Sequence, residues 1–236
     1  GNFRVRVMTL VSNIARDASL DYLAAKVYYT PSHFEQSGYR WFKNTDSPDL
    51  ASAVSNPSTS TDAIFGMGLD KGDEILYLAG DEATATSGDA WRIERRNART
   101  GELTYAVTAD PSSGNDGPRD LGFQDSENRI YIVGFDGAPG DREWRIEKRK
   151  ARNGGLGWAV VKTPSAGADQ ANARAIDSTS SFMYLVGTDS TSGDGGWRIE
   201  KRNLSDGALV YATSTNFSTS SDAAEDISID RDGGHM

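Results

Sequence analysis

The chain has 236 residues and a mass of 25.5 kDa, which allows one or two domains and a core of useful size. It contains no cysteine, so disulfide frameworks, thiolate zinc sites and cysteine nucleophiles are excluded. Only two histidines, His33 and His235, leave little room for imidazole chemistry. The net charge of -9 and a pI near 4.8 oppose nucleic acid and anionic lipid as partners. No apolar run approaches the ~18 residues of a membrane span, so no membrane insertion is expected.

The first 60 residues stand apart. Phe3–Leu10 alternates with period two, and Leu23–Tyr29 and Tyr39–Lys43 are further strand candidates. The stretch Leu50–Ser60 is rich in Ser, Thr, Asn and Pro and reads as a linker. The start lacks the apolar segment of a signal peptide, and Asp232–Met236 looks like a cut or an appended remnant. Both ends are expected to belong to a piece of a longer protein.

From residue 61 onward the chain repeats. Trp91, Trp144 and Trp197 are 53 residues apart, and each opens a near-copy: WRIERR, WRIEKR, WRIEKR. Fourteen residues after each Trp stands an aromatic, Tyr105, Trp158 or Tyr211. Twenty-five residues after each stands an aspartate, Asp116, Asp169 or Asp222, and Asp62 starts that series. A tyrosine and a glycine precede each Trp: Tyr77 and Gly80, Tyr131 and Gly134, Tyr184 and Gly187. Trp41 lies 21 residues before Asp62 rather than 25, so it does not continue the register.

Each unit reads as four short strands. In the middle unit these are Asp120–Phe123, Arg129–Val133, Glu143–Arg149 and Leu156–Val161. A glycine turn, at Gly101, Gly154–Gly155 or Gly207, joins the third strand to the fourth. A period near 50 with four strands per unit predicts an all-β chain of β-propeller blades, each of four antiparallel strands. The boundaries are 62–115, 116–168 and 169–221, with 222–236 as the first strand of a fourth blade. In the third unit, Asn172–Asp177 reads as one residue out of step, which leaves the register of that first strand open.

The string Asp222-Ala-Ala-Glu-Asp-Ile-Ser-Ile-Asp230 resembles the opening of bacterial SBBP-type propeller repeats. Ile130–Gly134 is similar to their second strand, and Arg99–Tyr105 is similar to the T-G-x-x-x-W hairpin of quinoprotein-like propellers. The resemblance covers residues 61–236 and concerns fold more than activity. It implies a large secreted or surface protein, hence an extracellular or cell-surface location. The Tyr39–Asp46 string resembles part of an immunoglobulin-like surface module. Residues 1–60 are thus expected to be either a divergent blade or part of a β-sandwich.

The repeated Trp91, Trp144 and Trp197, with Tyr105, Trp158 and Tyr211, are expected in the joints between blades. A repeated interface needs copies, whereas a ligand platform does not. Alternating charges, Arg92/Glu94/Arg96, Arg145/Glu147/Arg149 and Arg198/Glu200/Arg202, fit a salt-bridged ladder better than a polyanion stripe. Acidic Gly-rich segments between the second and third strands contain Asp81, Asp89, Asp136, Asp141, Asp189 and Asp194. They are the calcium candidates, since Ca²⁺ takes several carboxylate and carbonyl oxygens. The plainer reading is Asx-turn capping.

No catalytic or cofactor-binding set is proposed. The expectation is a non-enzymatic scaffold or protein-interaction module of a larger surface or self-assembling protein. Its partners would be other subunits or the rest of a parent chain. The alternatives are a glycan-binding, lectin-like propeller and a polysaccharide-active enzyme.

Overall fold

In the computed structural model, residues 58, 62–84, 88–137, 142–177, 181–191 and 193–229 are described. They belong to one compact unit, Lys43–Met236. The expected strands of residues 1–57, the immunoglobulin-like resemblance, His33, His235 and Asp141 lie outside the described residues.

Twelve strands form three four-stranded antiparallel sheets, each in sequential order. The first blade holds β1 (Ala63–Asp70), β2 (Ile75–Ala83), β3 (Asp89–Asn97) and β4 (Leu103–Ala109). The second holds β5 (Gly117–Gln124), β6 (Arg129–Asp136), β7 (Glu143–Lys150) and β8 (Leu156–Lys162). The third holds β9 (Gln170–Ile176), β10 (Phe182–Asp189), β11 (Gly196–Asn203) and β12 (Leu209–Thr215). This is the propeller-blade architecture that the 53-residue period predicts.

Two irregularities recur in every blade. One extra residue, Phe65, Arg119 or Asn172, bulges from the first strand. Opposite each bulge the second strand carries Gly80, Gly134 or Gly187. A Cβ on Gly134 would sit 2.1 Å from the Gly117 carbonyl oxygen, so only glycine fits. A second extra residue, Thr104, Gly157 or Val210, bulges from the fourth strand just after the hairpin. The hairpin itself turns at Gly101, Gly154 or Gly207, all near φ +70° to +75°.

The third unit is not out of step. Ala171 pairs with Gly187 and Ala173 with Val186, as Pro118 pairs with Gly134 and Asp120 with Val133. The apparent slip comes from Arg174, which occupies the position held by Met67 and Leu121. Residues 222–229 follow the blade pattern but form no strand, because no second strand pairs with them among the described residues. Their apolar residues still pack: Ala224 is buried with Ala173 and Val186, and Asn172 Nδ2 donates to the Ala224 carbonyl at 3.0 Å.

Two cores fill the spaces between successive sheets. One joins Tyr77, Trp91 and Ile93 of the first blade to Leu121, Ile130 and Ile132 of the second. The other joins Tyr131, Trp144 and Ile146 of the second to Ala171, Met183 and Leu185 of the third.

Candidate functional site

The residues that repeat in sequence meet in the joint between blades, and the joint is built twice in the same way. Period-two alternation puts Trp91 and Ile93 on one face of β3, and Arg92, Glu94 and Arg96 on the other. The Trp face of the first blade rests on the charged face of the second, and that of the second on the charged face of the third. Trp91 is fully buried, its Nε1 donates to the Phe135 carbonyl at 3.1 Å, and the Arg145 guanidinium lies 5.9 Å from its ring. Trp144 is fully buried, its Nε1 donates to the Thr188 carbonyl at 2.9 Å, and Arg198 lies 5.9 Å from its ring. The seat includes the bulge glycine, since a Cβ on Gly187 would come 2.9 Å from Trp144 Cζ2.

The floor of each joint is an ion-paired chain within one blade. In the second blade, Glu147 accepts from Arg145 Nε at 2.8 Å and from Arg149 Nε at 2.5 Å. Arg145 also reaches Asp136 at 3.3 Å, and Arg149 Nη1 donates to the Gly154 carbonyl of the hairpin at 2.8 Å. The same chain runs Glu82–Arg92–Glu94–Arg96–Gly101 and Asp189–Arg198–Glu200–Arg202–Gly207. Glu147 and Glu200 are fully buried, so their charge is balanced entirely by these arginines. Burial opposes ionisation of Glu94, but hydrogen bonds from Arg96 and Arg92 outweigh it and hold its pKa below 4.5.

A second contact lies at the hairpin end. Tyr105 Oη donates to the Ala151 carbonyl of the next blade at 3.0 Å, and burial pushes its pKa up to about 12. Trp158 holds the same place in the second blade but has no hydroxyl. There the equivalent carbonyl, of Leu204, accepts from Lys148 Nζ at 3.2 Å and Tyr131 Oη at 3.4 Å. Gly154 and Gly207 lie beneath these rings.

The repeated aspartates clasp the passage from one blade to the next. Asp116 accepts from Ser112 N and Oγ, at 3.1 and 2.8 Å, and from Gly137 N at 2.7 Å. Asp62 binds Ser58 and Ala83 alike, and Asp169 binds Ser165 and Ser190. Asp222 accepts from Ser218, and its own N–H donates to the Gly195 carbonyl at 2.7 Å, as Asp116 does to Asp89. The serine four residues earlier is a further member of the repeat, one that spacing from the Trp series does not single out.

Among the described residues, no blade packs on the third copy of the joint face. Trp197 is 42% exposed and meets the Phe217 ring edge-on at 5.1 Å, and Tyr211 is 39% exposed. Two of the six aromatics expected in joints are therefore in no joint between the described blades. On the far side, the first blade carries a cavity of about 200 Å³ lined by Ile64, Leu78, Gly80, Asp81, Arg92 and Glu94. By register these match Pro118, Ile132, Gly134, Phe135, Arg145 and Glu147 of the second blade, where Ile132, the Phe135 carbonyl and Arg145 meet Trp91.

The calcium candidates fall on strands as well as loops. Asp81, Asp136 and Asp189 are residues of β2, β6 and β10, and Asp89 opens β3. Asp136 and Asp189 belong to the ion-paired chains. Burial opposes the charge of Asp189, but Ser214, Thr191 and Arg198 hold its pKa below 3.8. Asp136 is pushed up, first by burial and then by Asp116. The equivalent in the first blade is Glu82, so Asp81 points to the other face and accepts from Ala63 N at 2.7 Å. Its pKa is also raised, mainly by burial. Asp194 accepts from Asn216 Nδ2 at 2.9 Å. Among the described residues, no three acidic or histidine side chains converge as a metal-ligand group.

No protein-family model and no curated protein sequence matches the chain. Among solved structures, it is similar to the quinohemoprotein alcohol dehydrogenase ADHIIG of Pseudomonas putida HK5, at 15% identity and a TM-score of 0.44 over 59% of this chain. It is similar to the quinohemoprotein alcohol dehydrogenase of Comamonas testosteroni, at 14% identity and a TM-score of 0.46 over 59%. The β-propeller domain of the Trilobed protease of Pyrococcus furiosus aligns over 66%, at 7% identity and a TM-score of 0.33. The aligned parts are 25%, 26% and 44% of those chains, so this chain spans well under two thirds of each. What the chain's own geometry defines is a run of consecutive β-propeller blades.

Proposed function

We propose that the chain is a non-enzymatic scaffold or protein-interaction module, built from SBBP-type repeats and displayed outside the cell. One observation carries this reading: in the two joints between the described blades, the side chains that recur in register are consumed in joining blade to blade. Trp91, Trp144, Tyr105 and the three Arg–Glu–Arg chains bond or pack within the stack. Such a device extends a surface by stacking, and the loops at the blade ends meet the partner. Its partners are other subunits or further parts of a parent chain.

Turnover tests the reading. Release of reducing ends from polysaccharides and alcohol-dependent reduction of a dye acceptor are both expected to stay at background; activity in either would overturn it. The exposed Trp197 and Phe217 pair supports a glycan-binding alternative, because aromatic faces stack on sugars. Binding on a glycan array that Trp197→Ala abolishes would favour that alternative.

A further inference from the structure

We infer that the chain pairs head to tail with a second copy: the Trp face of one copy's third blade rests on the charged face of the other's first blade, and Trp197 enters the cavity beside Arg92. This pairing rests on the scaffold reading and names its partner. The two surfaces already meet twice inside the chain, where the Trp face of one blade packs on the charged face of the blade that follows. The third blade carries a further copy of the first surface, and the first blade a further copy of the second. Among the described residues, no blade packs on either.

The match holds position by position. Trp91 and Trp144 donate to the carbonyls of Phe135 and Thr188. Strand pairing puts the Asp81 carbonyl at the same point of the first blade, since Asp81 pairs with Trp91 as Phe135 pairs with Trp144. Arg145 and Arg198 lie over the two buried indole rings, and Arg92 is their equivalent, held by Glu82 and Glu94. Met67 stands where Leu121 packs in the first joint; Leu121 is fully buried and Met67 is 63% exposed. Ile64, at the place of the buried Pro118, is 61% exposed. The surfaces that are dry in the joints already made thus carry exposed apolar groups at the first and third blades.

A contact between unlike surfaces leaves one of each unmatched until a ring shuts. Two copies of three blades make six, inside the range of about four to eight at which propellers close. Both seams then form in a dimer.

Residues 222–229 lie on the third blade as a first strand would. Ala224 packs on Ala173 and Val186 with Ile227 beside them, and Asn172 Nδ2 holds the Ala224 carbonyl. Counted from the clasp aspartates Asp62 and Asp222, Ala224 and Ile227 match Ile64 and Met67. The segment therefore holds the place of the second copy's β1 and yields it on docking. β1 arrives with its whole sheet, so the exchange buries more apolar surface than it releases.

The test is sedimentation velocity of the full chain over a concentration series, with tryptophan emission recorded alongside. Wild type is expected to form a particle of twice 25.5 kDa, and its emission to shift to the blue as Trp197 is buried. Trp197→Ala and Met67→Lys, both at exposed positions, are each expected to raise the dimer dissociation constant about tenfold or more, with far-UV circular dichroism unchanged. An equimolar mixture of the two variants keeps one intact seam and is expected to form more dimer than either variant alone. Ile227→Ser loosens the segment 222–229 and is expected to strengthen the dimer. A monomer at every concentration would overturn the proposal. So would a dimer that Trp197→Ala abolishes and Met67→Lys leaves intact, the outcome for a contact between like faces, or a dimer that Ile227→Ser weakens. None of these results bears on the turnover assays, so the scaffold reading stands or falls separately.

Discussion

Trp144 and Trp197 occupy the same place in two copies of one repeat, and their energies should differ because, among the described residues, only Trp144 has a following blade to rest on. Trp144 is fully buried, its indole N–H is bonded to the Thr188 carbonyl, and its ring lies against Gly187. Truncation to alanine removes that contact and opens a void, for a cost of about 3–5 kcal/mol. For a domain of this size each kcal/mol lowers Tm by about 2–4 °C, so Trp144→Ala should melt about 6–20 °C lower. Trp197 is 42% exposed and its ring meets only Phe217 edge-on among the described aromatic pairs. Its replacement should cost about 0.5–1.5 kcal/mol, the worth of an aromatic pair. Urea unfolding followed by far-UV circular dichroism, at low protein concentration, measures both. Trp144→Phe separates packing from the hydrogen bond, since it keeps most of the ring and strands one carbonyl, for about 1 kcal/mol. Equal losses for Trp144→Ala and Trp197→Ala would refute the joint as the source of stability.

The remaining predictions concern charge. Arg149→Met should destabilise by about 3–5 kcal/mol, because it leaves the fully buried Glu147 half-balanced and the Gly154 carbonyl unpaired. Glu94 has a folded-state pKa below its ordinary 4.5, so its ionised form contributes stability above that pH. The stability gap between wild type and Glu94→Gln should therefore be full above pH 4.5 and close as pH falls through the folded pKa; a gap that widens on acidification would contradict the assignment. Arg174→Leu should leave stability unchanged or raise it by about 1 kcal/mol in urea titration. The buried guanidinium, whose pKa burial lowers, has its one ion-pair distance among the described residues to Asp120, at 3.7 Å, and the other blades carry Met67 or Leu121 there. EDTA should leave Tm unchanged, because Asp136 and Asp189 are engaged by Arg145 and Arg198; a drop would restore the calcium reading.

The blades were legible because a joint made three times leaves its marks three times. Trp, the alternating Arg and Glu, the hairpin glycine and the clasp aspartate each occupy a position that the geometry restricts to one or two residue types. The middle unit's strands, expected at 120–123, 129–133, 143–149 and 156–161, extend in the structure to 117–124, 129–136, 143–150 and 156–162. The additions lie largely before the first strand and after the second, where Gly117, Pro118 and Asp136 look like turn residues by composition. Gly117 and Pro118 go on pairing beyond the Arg119 bulge, with Phe135 and Gly134, and Asp136 pairs with Glu143; composition does not reveal either pairing.

What the repeat concealed is which face each copy shows and whether anything covers it. Asp81, Asp136 and Asp189 look like one series by composition, yet strand pairing groups Asp136 and Asp189 with Glu82 and turns Asp81 to the opposite face. One residue of offset reverses the side chain, so a spacing match is informative only when anchored to paired strands. Likewise the identical WRIEKR strings give a fully buried Trp144 and an exposed Trp197. No residue of the string accounts for the difference; the third blade packs on Trp144, and no strand among the described residues packs on Trp197 in the same way. In a stack, burial is a property of the neighbour, so a repeat predicts the joint and only the succession of blades decides which joints are made.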